Sequence, residues 1–228
     1  MKAISLLVAL FLGSAASAAE TRPIVVELFT SQGCSSCPPA DRLLGDLAKR
    51  TDIIALGFHI TYWDGTAWRD PFSRQDSTER QVAYDRHLTG GQVYTPQMVV
   101  DGTADVIGSD RSAVLAAIGA AKPVAVAVVS FAADRRAVVV GAGTAPPGAN
   151  ILLARYVLAR TTHVGGGENA NRTAIDFNGV EHLETLGAWD GKAATFAIEP
   201  PGEGEGVAVL VQAPDGTILG AAKLSQPG

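Results

Sequence analysis

The stretch Ile24-Val25-Val26-Glu27-Leu28-Phe29-Thr30-Ser31-Gln32-Gly33-Cys34-Ser35-Ser36-Cys37-Pro38-Pro39-Ala40-Asp41 decides how this chain is read. Ile24 to Phe29 is a short apolar run and predicts a buried strand. Beyond Gly33, the residues Ala40, Leu43, Leu44, Leu47 and Ala48 recur at helical spacing. Pro38 and Pro39 suit a first helical turn, whose N–H groups lack intrahelical partners. Strand, turn and helix start thus bracket Cys34 and Cys37, and the chain has 2 cysteines in all. A disulfide across so small a loop adds little stability, because chain-entropy stabilisation grows with loop length. The spacing instead suits a bond that is made and broken, each sulfur staying within reach of the other. On this reading Cys34 opens the helix, where free N–H groups and the helix dipole favour a thiolate. Cys37 follows one turn later as the resolving thiol.

Working outward, Ile53 to Ile60 predicts a second buried strand, and Gln97 to Val100 a third running into the Asp101-Gly102 turn. Ser73 is expected to cap a polar helix reaching about Leu88, and Ser112 to Ala121 reads as a small-residue helix. Strands alternating with helices indicate an open α/β layer. After Pro123 the texture changes to short Val/Ala/Leu runs separated by Pro/Gly turns. These are Val124 to Phe131, Ala137 to Val140, Ile151 to Leu158, Ala193 to Ile198, Val207 to Val211 and Ile218 to Leu224. They predict a small antiparallel β-sandwich-like domain over 123–228, following an α/β domain over 19–122 with an aromatic and helical insertion at about 60–92.

The first residues have the pattern of a secretory signal peptide: a basic start at Lys2, an apolar run from Ile4 to Leu12, and small residues Ala16-Ser17-Ala18 for cleavage. A periplasmic or secreted location follows, where disulfides persist. No later stretch is apolar enough to span a membrane. The net charge of −5, with no Lys/Arg concentration, argues against a nucleic-acid partner.

Other residues are singled out by their setting. Glu27 is the one ionisable group in an apolar strand, so it must be paired or its pKa must rise. His59 ends the second strand, on the rim where open α/β sheets place their sites if the strands are parallel. Trp63, Trp68 and Phe72 concentrate aromatics after that rim, as a groove wall would. Pro96 stands directly before a short strand, after Thr95. Gly165-Gly166-Gly167-Glu168-Asn169 has the glycines of a phosphate loop without the strand–turn–helix that such a loop needs.

The blocks Val25 to Asp41, His59 to Asp64, Trp68 with Asp70-Pro71-Phe72, Tyr94 to Gln97, and Gly167-Glu168-Asn169 resemble the secreted bacterial domain-of-unknown-function family 1223. The similarity extends over essentially the whole mature chain. Two positions depart from the pattern: Thr61 stands where an acidic residue is expected, and Asp176-Phe177 precede Asn178 where a histidine is expected. The resemblance implies a thioredoxin-like N-terminal domain. It implies a cis peptide at Pro96 facing the disulfide, and a proton-shuttling role for Glu27 beneath it. The site expected from residues and resemblance together is catalytic Cys34, Cys37, Pro96 and Glu27, with Thr95, His59 and Trp63 contacting a protein or peptide thiol or disulfide substrate. The function expected is exported thiol–disulfide exchange without a dissociable cofactor. Two alternatives stand beside it. One is copper or zinc binding or delivery through Cys34, Cys37 and His59, since thiolate and imidazole suit those metals. The other is a non-enzymatic binding module on the same scaffold.

Overall fold

The computed structural model describes residues 21–65 and 67–226. The signal-peptide reading falls on residues outside that range. In chain order the elements are β1 (Ile24–Thr30), α1 (Pro38–Ala48), β2 (Ile53–His59), α2 (Gln75–Leu88), β3 (Gln97–Val100), β4 (Ala104–Ile107) and α3 (Arg111–Ala120). Then come β5 (Val129–Phe131), β6 (Ala137–Val140), β7 (Asn150–His163), β8 (Thr173–Ala188), β9 (Ala194–Ala197), β10 (Glu205–Gln212) and β11 (Ile218–Gln226).

Eight strands form one mixed sheet in the order β11-β10-β7-β8-β2-β1-β3-β4, and β5, β6 and β9 form a three-stranded sheet. β1 and β2 are parallel, joined by α1. β7 and β8 form a long antiparallel hairpin whose second strand meets β2 in parallel at Gly57–Gly179. Asn178 secures that junction by donating from Nδ2 to the Ala55 carbonyl at 2.8 Å.

This topology overturns the expected fold class. The chain is not a thioredoxin-like α/β domain followed by a small separate sandwich, because the strands after Pro123 extend the sheet begun by β1 and β2. The physical reason lies in β2. All seven of its residues are buried, so its free edge needed a partner to satisfy its backbone groups. β8 supplies that partner from more than a hundred residues away. The apolar alternation supports the same frame across both halves of the chain. Val25, Phe29, Ile54, Leu56, Phe58, Val99, Tyr156, Ala208, Leu210 and Ile218 share one core cluster, so the sheet curls until residues near its two ends meet on one face. On the other face, α1 and α3 cover Val26, Leu28, Ile53, Ala55 and Met98. Farther along that face the small sheet covers Ile151, Leu153, Val207, Val209 and Val211.

Two local expectations also change. The helix begins at Pro38 with Cys37 as its N-cap, so Cys34 lies in the turn before it rather than at its first position. Ser73 does not cap α2: its hydroxyl donates to Asp64 Oδ2 at 2.5 Å, and Arg74 occupies the cap position without a side-chain bond. Among the described residues no helix is long and apolar enough to cross a membrane.

Candidate functional site

Cys34 and Cys37 are joined by a disulfide, with Cα atoms 5.4 Å apart. The turn that carries them is closed by Cys34 N donating to Ser31 O (3.1 Å) and Cys37 N donating to Cys34 O (3.2 Å). Both cysteines are fully buried, while Ser35 and Ser36 between them are exposed. Access to sulfur is therefore set by what lies over the turn.

Three expected residues lie there. Trp63 Nε1 donates to Thr95 Oγ1 at 2.7 Å, and Thr95 Oγ1 donates to Cys34 Sγ at 3.3 Å. The order is dictated by chemistry: an indole N–H can only donate, so the threonine hydroxyl accepts from it and turns its own proton to the sulfur. Ser36 Oγ stands 3.2 Å from the same sulfur and 3.4 Å from Thr95 O. Pro96 follows Thr95 through a cis peptide bond and is buried.

His59 is the last residue of β2. It is buried on the α1 side of the sheet, with Nδ1 2.7 Å from Asp70 Oδ2 and Nε2 3.8 Å from Asp176 Oδ1. Gln32 ties this group to the motif. Its backbone N–H donates to Asp70 Oδ2 (2.8 Å) and its Nε2 to Asp176 Oδ2 (2.6 Å). Burial alone would lower the His59 pKa, but the adjoining carboxylates of Asp70, Asp176 and Asp41 raise it to about 9. Burial likewise works to raise Asp70, yet the His59 charge and the N–H groups of Gln32 and Phe72 hold it below the usual carboxylate range. For Asp176 burial prevails and the direction is upward. With both ring nitrogens turned to carboxylates, His59 does not complete a ligand set with the two cysteines. Among the described residues no group of three or more His, Cys, Asp or Glu side chains converges as a metal site.

Glu27 is not brought to the disulfide. It faces the side of the sheet that packs on α2, where Arg80 Nε and Nη2 donate to its two oxygens at 2.8 and 3.0 Å and the Tyr84 hydroxyl also donates to it. Strand alternation explains the separation, since Val26 and Leu28 face α1 and Glu27 faces away from it.

Asp41 is the acid on the sulfurs' side. It stands one helical turn beyond Cys37, its backbone N–H donating to Cys37 O at 3.1 Å, and it accepts from Thr30 Oγ1 at 2.7 Å. Burial, followed by the neighbouring Asp176 and Asp70, pushes its pKa up to about 7 against the opposing effects of Thr30 and His59. Sequence reasoning gave it no role. The available signal was its position four residues after Cys37 on the face that also carries Leu44.

The glycine-rich loop is a clamp. It forms the tip of the β7–β8 hairpin and lays Asn169 against the cysteine turn, with Nδ2 donating to Gln32 O (3.0 Å) and Cys34 O (2.8 Å). Glu168 accepts from Ser35 N at 3.0 Å. Gly166 lies so close to the Ala67 carbonyl that a Cβ there would overlap it, which accounts for glycine at that position.

The crystal structure of a protein from Agrobacterium tumefaciens is similar at 32% identity, covering 91% of this chain and 96% of that chain with a TM-score of 0.75. A second structure, described as HBP35 of Porphyromonas gingivalis, is 16% identical, covering 90% of this chain and 76% of that one at a TM-score of 0.59, a likeness of fold. No curated protein matches the sequence. The profile of the proteins of unknown function termed DUF1223 matches residues 25–212, and the chain belongs to that family.

Proposed function

We propose that this protein is an exported thiol–disulfide oxidoreductase acting through Cys34 and Cys37. The observation that carries the reading is the Trp63–Thr95–Cys34 chain of donors, which aims a hydroxyl proton at one sulfur of a two-residue disulfide loop. A donor in that position stabilises a thiolate on Cys34, the form that exchanges.

In the oxidising direction, a thiolate of a partner dithiol attacks Cys34 Sγ. The S–S bond breaks, a mixed disulfide forms at Cys34, and the electron pair leaves on Cys37, which takes a proton. Asp41, with a pKa of about 7, is the acid one turn along α1 suited to supply it. The partner's second thiolate then attacks its own bridged sulfur and releases Cys34 as a thiolate. The partner is oxidised by two electrons and the Cys34–Cys37 pair is reduced by two. Trp63, Thr95 and the exposed Ser35-Ser36 edge form the surface that a partner chain meets.

Two variants test this. Cys34→Ser should abolish turnover of a peptide disulfide, and Cys37→Ser should accumulate mixed disulfides that release on adding a reductant. Wild-type turnover in both variants would overturn the reading.

A further inference from the structure

α2 buries a polar stripe. Its buried residues are Ser77, Gln81, Tyr84 and Asp85, at the i, i+4, i+7 and i+8 spacing where a surface helix normally carries its apolar face. Polar side chains are costly to bury unless they are bonded, so this face is organised around its partners. Tyr84 joins the Glu27 ion pair. Gln81 serves the two segments that carry Trp63 and Thr95.

Gln81 is fully buried, and both of its amide N–H groups are used. Nε2 donates to the Tyr94 carbonyl at 2.8 Å and to Gln97 Oε1 at 2.9 Å, while Oε1 accepts from the Tyr62 hydroxyl at 3.2 Å. Turning the amide over would set its oxygen against two acceptors, so one orientation is fixed. Gln97 is pinned in turn, its Nε2 donating to Asp85 Oδ1 at 2.8 Å. Thr78 of the same helix adds a further tie, its hydroxyl accepting from Thr61 N at 2.9 Å. The next residue of each held segment belongs to the donor chain: Trp63 follows Tyr62, and Thr95 follows Tyr94. Trp63 is itself 38% exposed, so packing does little to fix it and the anchorage comes from its neighbour.

We infer that Gln81 is a positioning residue of the redox site, setting the acidity of Cys34 by holding Trp63 and Thr95 in bonding register while touching neither sulfur. This role rests on the oxidoreductase reading of Cys34 and Cys37, and adds to it a point in α2 from which their reactivity is tuned. Without Gln81 the Thr95 hydroxyl is held less firmly to the sulfur, and a Cys34 thiolate loses a donor that favours the charged form.

The test follows alkylation of Cys34 by iodoacetamide against pH in the reduced mature protein, quantified by peptide mass. Wild-type Cys34 should titrate below the free-thiol value of about 8.5. Gln81→Leu should raise its pKa by about one pH unit, the loss expected for one hydrogen bond to a charged group. Thr95→Val should raise it similarly, and adding Gln81→Leu to Thr95→Val should raise it no further, because the donor that Gln81 positions is already gone. A role confined to supporting the fold would act alike with and without Thr95. If Gln81→Leu does not fold, Tyr62→Phe decides. It alters an exposed residue, removes the grip on one segment, and should raise the Cys34 pKa only where Thr95 is present. A wild-type pKa at or above about 8.5 would overturn the redox reading and the positioning role with it. A lowered wild-type value that Gln81→Leu and Tyr62→Phe leave unchanged, or raise equally in the Thr95→Val background, would overturn the positioning role alone.

Discussion

Asp41 and Glu27 are both acids set against an apolar sheet: Asp41 is carried by α1 on one face, and β1 alternation turns Glu27 to the other. Glu27 is committed to Arg80 and Tyr84, whereas Asp41 holds its proton more tightly in the folded chain than its ordinary value of 3.8 allows. A raised carboxyl pKa means stability falls as pH rises from the unfolded value to the folded one, here from 3.8 to about 7. Asp41→Asn removes that penalty. Its melting temperature relative to wild type should therefore be higher at about pH 8 than at about pH 4, and its disulfide exchange slower by on the order of 10²-fold, as for a lost general acid. Glu27→Gln should do the reverse. It strands the Arg80 charge and costs about 3–5 kcal/mol in denaturant unfolding, with exchange rates unchanged. A slow Glu27→Gln beside a fast Asp41→Asn would restore the proton-transfer role to Glu27.

At the scale of elements, the β7–β8 hairpin tip holds the cysteine turn through two donors from one amide, Asn169 Nδ2. Asn169→Ala leaves the carbonyls of Gln32 and Cys34 without them, at a cost of about 2 kcal/mol, and frees the turn to open. Reduction by dithiothreitol should be faster in this variant than in wild type, followed by thiol alkylation and mass analysis. An unchanged rate would mean that the clamp supports the fold without gating the sulfurs. Elements built on local signals were legible in the sequence: β1, β2, α1 and β3 follow from apolar runs and helical spacing within a few residues of where they occur. The contact of Thr95 with Cys34 agrees with the pairing expected of those two motifs. The clamp was not legible, because Asn169 meets Cys34 across 135 residues and glycine repeats carry no record of what they approach. The helix starts one turn later than the Cys34 position that the sequence suggests. The prolines marked it, yet Cys37 rather than Cys34 satisfies the cap, with Ala40 and Asp41 N–H both donating to its carbonyl.

For the whole molecule, the decisive feature is a sheet shared by both halves of the chain. The texture change at Pro123 is real in sequence, but pairing partners between distant strands leave no local mark, and β8 alternates too weakly to announce itself as the neighbour of β2. Truncation after Lys122 removes β7, β8, β10 and β11 and exposes the edge of β2 with the Ile54, Leu56 and Phe58 face. That fragment should show no cooperative thermal transition by circular dichroism, whereas residues 19–228 should unfold as one unit. A fragment with a sharp transition of its own would show that the first half is self-sufficient.

The claim on which the functional reading rests is that the Cys34–Cys37 bond cycles rather than persists, and its reduction potential measures this directly. Equilibration of the mature protein against thiol–disulfide buffers, quenched by acid and read by mass, should give a value within about −270 to −120 mV, the span of exchanging dithiols. A potential below about −300 mV, where structural disulfides resist reduction, would contradict it.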